Sequence, residues 1–230
     1  MIDLPPAIES SVKAFDLGSI TAALQEAGPF LSIAKETWSR ETLLDILSGH
    51  IAVPDEEINK AIAENIAKRK KEDPNVRSLT VTSRQDGQLQ INADTRSLGK
   101  IEMSGIIEEC VHDGTSCWVT YRMKERSLGD QGLLSWIVSR ISLSMTSKLF
   151  GGDLEFADDI PVTLKGNRLK VDFTERVQKS RLAAVQYNGC SLLSMLRVES
   201  AVPHEGYIVF DTGMVLPDKL KEALKNIFRF

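Results

Sequence analysis

The chain has 230 residues, 42% of them hydrophobic and 26% charged, with a formal net charge of −4. That is the make-up of a soluble globular protein of one large or two small domains, long enough to bury a core without disulfides or metal. The acidic balance argues against a nucleic-acid scaffold, three cysteines make no secreted disulfide framework, and histidines 50, 112 and 204 form no zinc-spaced pair.

The N-terminus, Met1-Ile2-Asp3-Leu4-Pro5-Pro6, has neither the basic start nor the apolar run of a signal peptide. The first 72 residues read as helical, broken at Gly28-Pro29. Ser39 is an N-cap for a segment carrying Leu43, Leu44, Ile46 and Leu47, and Gly49 stops it. The next helix opens at Pro54 with Asp55, Glu56 and Glu57 at its positive end. It carries a stripe of Ile58, Ala61, Ile62 and Ile66, and reaches the basic run Lys68-Arg69-Lys70-Lys71 before Pro74. A solvated helix end accounts for that basic run. Residues 1–52 are expected to form a helical lead and 53–230 the main domain.

At residue 76 the apolar period changes from 3.6 to 2. A three-residue loop, Gln85-Asp86-Gly87, pairs Val81 with Ile91 and Leu79 with Ala93, with glycine at the left-handed position. A second hairpin sets Ile101, Met103 and Ile107 against Val119, Tyr121 and Met123 across His112-Asp113-Gly114. In that register Ile107 meets Val119, Met103 meets Met123, and Cys110 and Cys117 lie on opposite faces, so no disulfide is expected.

Asp130 is placed to cap a helix running to Phe150, with Gly151-Gly152 as its stop. Its window Leu133–Phe150 is the most apolar in the chain, yet it contains Arg140 and Lys148 and is short for a membrane span, so a cytoplasmic chain is expected. Leu133, Leu134, Ile137, Val138, Ile141, Met145 and Leu149 make one apolar surface, and Trp136, Leu143 and Phe150 a second. Between them runs a stripe of Ser135, Ser139, Ser142 and Thr146, whose hydroxyls can bond back to helical carbonyls. A helix apolar on nearly all sides is surrounded by protein or lipid.

After it, Gly166-Asn167 pairs Leu164 with Leu169 and Val162 with Val171, and Asn188-Gly189 sets Val185 opposite Leu192. A last strand holds Ile208 and Phe210. Pro217 then opens a terminal helix with Leu220, Leu224, Ile227 and Phe228 on one face and Lys219, Lys221, Lys225 and Arg229 beside them. That pattern suits docking on the sheet or a partner, or contact with an anionic membrane.

The fold expected is α+β: a strongly curved antiparallel sheet of hairpins wrapped around a long central helix, with a helical segment before it and a helix after it. The order of elements supports this. Pro54-Asp55-Glu56-Glu57-Ile58-Asn59 precedes Val76-Arg77-Ser78-Leu79-Thr80-Val81. An Asp-Gly turn, Leu89-Gln90-Ile91, Leu98-Gly99, a long hairpin, the apolar helix and a hairpin from Val162–Leu164 to Leu169–Phe173 follow. Over roughly residues 53–212 this resembles the bacterial members of the tubular lipid-binding superfamily. The resemblance implies a curved sheet around a long helix, holding lipid or another apolar ligand.

The sequence contains no G-x-S-x-G, H-E-x-x-H, P-loop or G-x-G-x-x-G. His112 reads as a surface histidine in a turn, and His50 and His204 as solvent residues. Asp158-Asp159 read as loop carboxylates, and Cys190 as a half-buried structural thiol. No enzyme, metal or cofactor is expected, and no nucleic-acid partner. The expected function is non-enzymatic binding or carriage of a lipid or acyl chain in a tunnel between sheet and helix, with peripheral membrane contact. Leu89, Ile91, Met103, Ile107, Val119, Tyr121 and Met123 from the strands and Leu133, Trp136, Ile137, Ile141 and Met145 from the helix would line it. The alternative is an interaction or structural protein with a solid core, using its terminal helices for a partner or a dimer interface.

Overall fold

The computed structural model describes residues 28–29, 32–68, 76–124, 131–151, 160–218 and 220–221. The basic run at 69–71, Asp130, Gly152, Asp158-Asp159 and most of the lead and terminal helix lie outside the described residues. The fold is α+β, with a nine-stranded, largely antiparallel sheet that does not close into a barrel.

A helical stretch at 32–37 leads into α1 (Arg40–Ser48). As expected, the Ser39 side chain accepts from the Thr42 amide and Gly49 ends α1 at φ +102°. A strand absent from the sequence reading follows, β1 (His50–Pro54), which spans the expected boundary at 52/53 and pairs with the last strand of the sheet. Next come α2 (Asp55–Lys68), β2 (Val76–Ser83), β3 (Gln88–Thr95), β4 (Gly99–His112) and β5 (Cys117–Met123). Then α3 (Gln131–Phe150) leads to β6 (Val162–Lys165) and β7 (Arg168–Asp172). Short helices α4 (Thr174–Gln178), α5 (Arg181–Ala184) and α6 (Leu192–Met195) surround a two-stranded ladder, β8 (Gln186–Tyr187) and β9 (Cys190–Ser191). Finally β10 (Leu196–His204) and β11 (Tyr207–Met214) form a long hairpin.

The sheet forks at β4. One edge of β4 carries β5, while the other is shared between β3, along residues 99–106, and β10, which meets it at His112. One path therefore runs β1-β11-β10-β4-β5-β7-β6, and the β2–β3 hairpin branches from it. The branch is tied back to the β10–β11 turn, where the Gly206 amide donates to the Ser83 carbonyl at 3.2 Å and the Gly206 carbonyl accepts from the Asp55 amide at 3.0 Å.

Three hairpins have the expected register: Val81 faces Ile91, Leu164 faces Leu169, and Tyr187 faces Cys190, the step next to Val185 and Leu192. The β4–β5 hairpin does not. A bulge between Ile107 and Glu109 shifts it, so that Ile107 faces Tyr121, Gly105 faces Met123 and Cys110 faces Val119. The loop has four residues, 113–116, rather than three. The Asp113 carboxylate holds it, accepting from the amides of Thr115 and Ser116 and from the Thr115 hydroxyl at 2.7–2.9 Å. Cys110 and Cys117 consequently share the buried face of the sheet, not opposite faces. Both are free thiols, and burial pushes Cys110 up to about 12 and Cys117 well above the usual thiol range.

The same shift moves His112. It is not a surface turn residue but the last residue of β4, 1% exposed, with its ring edge-on to Phe150 at 5.2 Å. Its nitrogens lie 3.0 Å from the Leu193 carbonyl and 3.2 Å from that of Ser116. Burial, the largest influence, depresses its pKa. His50 is exposed but paired with Asp211, and His204 is the last residue of β10, stacked on Tyr207. Cys190 is exposed rather than half-buried.

In α3 every residue from 137 to 146 is buried, including Ser142, Ser144 and Thr146. The hydroxyls of Ser139, Ser142 and Thr146 donate to the carbonyls of Trp136, Val138 and Ser142 at 2.7–2.8 Å, which satisfies them within the helix. Tyr121 of β5 lies 2.6 Å from the Ser142 hydroxyl, and Trp38 donates to the Leu149 carbonyl at 2.9 Å. Among the described residues no helix is long and apolar enough to cross a membrane.

Gly114, in the Asp113 loop, has φ +90°. A Cβ there would lie 2.3 Å from an Arg197 nitrogen and 2.7 Å from the Ser194 carbonyl oxygen, whereas one on Gly87, at φ +77°, meets open space. Gly114→Ala is expected to destabilise by about 3 kcal/mol, through backbone strain plus overlap. Gly87→Ala, with strain alone, is expected to cost about 1 kcal/mol. Urea unfolding of the two variants measures the difference. A second test concerns Asp113, whose loop amides hold its carboxyl down to about 2. A depressed carboxyl stabilises the fold above its unfolded pKa of about 3.9, and that contribution is lost as pH falls through the folded value. Asp113→Asn should therefore flatten the decline of the urea midpoint between pH 4 and 2.

Candidate functional site

The residues expected to line a tunnel do come together. Nine of the twelve, Leu89, Ile91, Met103, Val119, Tyr121, Met123, Ile137, Ile141 and Met145, are buried in one apolar cluster, and Ile107, Leu133 and Trp136 pack half-buried against it. Two clefts lie along the described residues, and these side chains border them only at their margins. Leu89 and Met103 touch one cleft, Trp136 the other.

The first cleft, about 650 Å³, runs past the β2–β3 turn and the outer face of β3 and β4. Its polar groups satisfy one another. Arg84 donates to Gln90 at 2.6 Å and lies 3.4 Å from Glu205, and Gln90 bonds Glu102. Such a surface has little unmet bonding to offer a ligand.

The second cleft, about 450 Å³, lies between α2 and β2. Its position follows from how α2 meets the sheet. Asp55, Glu56 and Glu57 suit the helix start, and Ile58 and Ile62 bury one stripe. The polar residues beside that stripe cover the outer edge of β2. The Asn59 amide spans Val81, donating to its carbonyl at 2.9 Å and accepting from its N–H at 2.8 Å. Asp55 accepts from the Ser83 amide and hydroxyl, both at 2.6 Å. An asparagine amide thus takes the place of a neighbouring strand and blunts an exposed sheet edge. Read from sequence, Asp55 served only the helix dipole; no local signal marks a partner 28 residues away.

Beyond Asn59 no side chain among the described residues bonds to the edge. There Ala63, Ile66 and Ala67 of α2 face Val76 and Leu79 of β2, with Trp136 of α3 alongside. Arg77 and Arg96 supply positive charge. Arg77 is 60% exposed and 4.0 Å from Asp94, and Arg96 has no ion pair among the described residues. Helix α3 is bound to α2 by Lys148 and Glu57 at 3.3 Å. Arg140, 1% exposed, sets its guanidinium 5.3 Å from the Trp136 ring centre, a cation–π distance. The Trp136 indole N–H, the Asn65 side-chain oxygen and the Ser144 hydroxyl have no hydrogen-bond partner among the described residues. Unmet buried polar atoms are few in folded proteins.

No group of three or more His, Cys, Asp or Glu residues is placed to hold a metal ion among the described residues. Nor do the remaining shifted groups assemble a nucleophile with a base. Glu108 is held low by Arg168 and Asp211 by Ser200, both on the outside of the sheet.

Asn59→Ala would open both Val81 backbone groups in a partly buried position. It is expected to cost about 1–3 kcal/mol, read as a lowered urea midpoint with an unchanged slope. Comparison of the chain with protein-family models, with curated proteins and with solved structures finds no match.

Proposed function

We propose that this is a non-enzymatic binding protein for an apolar ligand with an anionic head, a fatty acyl chain being the simplest case, taken up in the cleft between α2 and β2. One observation carries the reading: an apolar cleft of about 450 Å³, walled by Ile66, Val76, Leu79 and Trp136, opens beside Arg77 and Arg96. Its volume is that of a small-ligand site, and apolar walls with a few placed polar groups are the usual design of such sites. Burying each methylene of a chain is worth about 0.8 kcal/mol. On this reading the ligand lies not between sheet and helix, as expected from the sequence, but at the margin of that core, beside Trp136.

The reading keeps the kinship with the tubular lipid-binding superfamily, with α3 as the central helix and the sheet curved about it. The unbroken burial of residues 137–146 supports this, as do hairpins on both sides of α3 in the chain. The second reading, an interaction protein with a solid core, is favoured by the close burial of nine of the twelve expected lining residues.

Tryptophan emission distinguishes the two. Trp118 lies away from the cleft, against Lys170 and Glu109, and Trp38 is bonded to Leu149. Titration with dodecanoate below its micelle concentration should shift the emission of the protein and of Trp118→Phe, but not of Trp136→Phe. A protein whose emission and calorimetric heat are both unmoved by acyl anions is the solid-core interaction protein.

A further inference from the structure

We propose that the preferred ligand is an N-acyl amino acid, whose amide and carboxylate pair with the backbone of Leu79 as an added strand residue would. This rests on the reading of the cleft above and names its ligand class. The argument begins with backbone direction in β2. In an antiparallel pair, alternate residues turn their N–H and C=O to opposite edges of the strand. Val81 gives both groups to Asn59, and Ser83 gives its N–H to Asp55 and receives the Gly206 amide at its carbonyl, so these residues face the outer edge. The β2–β3 register runs unbroken from Ser78 to Ser83, the irregularity lying between Val76 and Ser78. Leu79 therefore faces the outer edge as well.

Leu79 has no Asn59 of its own. No hydrogen bond is made to its outward N–H and C=O among the described residues, and the residue as a whole, backbone included, is only 3% exposed, so both groups are withheld from bulk water without a partner. What Leu79 presents to the cleft is thus one donor and one acceptor at strand spacing. A plain fatty acid offers no donor to that carbonyl when ionised. An N-acyl amino acid offers both groups in the right order. Its amide N–H donates to the Leu79 carbonyl, and its carboxylate accepts from the Leu79 N–H. The second carboxylate oxygen is left for Arg77 or Arg96, and the acyl chain for the wall of Ile66 and Trp136. Addition of a strand at an open edge is an established mode of recognition, with main-chain bonds supplying affinity.

The test compares N-dodecanoylglycine with O-dodecanoylglycolate, which has the same chain, charge and shape but an ester oxygen in place of the N–H. Affinities come from calorimetry, and amide exchange at Leu79 and Val81 is followed by NMR. The amide should bind at least tenfold more tightly than the ester and slow exchange at Leu79 at least tenfold. Val81, already bonded to Asn59, should be unchanged, and Arg96→Gln should weaken the amide and the ester alike. Equal affinities, or an unprotected Leu79 amide, overturn this inference and leave the acyl-binding reading standing. An unacylated acidic peptide that binds as tightly overturns the acyl part. Failure of both acyl compounds and of dodecanoate to bind overturns the cleft reading itself.

Discussion

Among the described residues α3 has the longest unbroken run of buried positions, and this burial is the constraint the packing around it must meet. Its sequence is apolar on nearly every side, and ten consecutive residues, 137–146, are shielded from water. Such a helix cannot rest on a single surface, because each uncovered side would leave apolar area in solvent. Tyr121 of β5 reaches Ser142, Phe150 meets His112 at the end of β4, Trp38 binds the Leu149 carbonyl, and Lys148 joins Glu57 of α2. The serine and threonine hydroxyls of α3 turn back onto its own carbonyls, so these polar residues enter the core without needing partners from outside the helix.

Helix α2 solves a different problem. A forked sheet has more edges than a closed one, and the branch formed by β2 and β3 leaves the outer edge of β2 open. Asp55 and Asn59, one helical turn apart, meet that edge at Ser83 and Val81, two residues apart on a strand. A rise of about 6 Å over four helical residues matches about 6.6 Å over two strand residues. The next helical turn carries Ala63 and then Ile66 and Ala67, which have nothing to give a backbone amide. Among the described residues the covering stops there, where the cleft begins. The same geometry that gives the edge a partner at Val81 leaves it without one at Leu79 among the described residues.

Period and turn chemistry made much of the sheet legible. Gln85-Asp86-Gly87, Gly166-Asn167 and Asn188-Gly189 each set a register that the structure has. The errors share a cause. In β4 the buried positions are odd up to Gly105 and even from Cys110, because a bulge lies between Ile107 and Glu109. In β10 they are even at Leu196 and Val198 and odd at Ala201 and Pro203, because another lies between Val198 and Ser200. A bulge inserts one unpaired residue and exchanges the faces of the strand, so strict alternation fails within one element. This misplaced His112 and the two cysteines and hid β10 altogether. β1 was hidden because five residues ending in proline carry too short a pattern.

The sequence by itself determined the kinds of element present, the three tight-turn registers and a helix that had to be enclosed, because these follow from side-chain period and from turn residues a few positions apart. Only the tertiary structure decided which strand would be an edge, that Asn59 would cover it at Val81 and not at Leu79, and that Trp136 and Arg96 would stand beside the gap. Those facts depend on contacts between residues from about twenty to eighty apart in the chain. Neither periodicity nor local propensity extends over such separations.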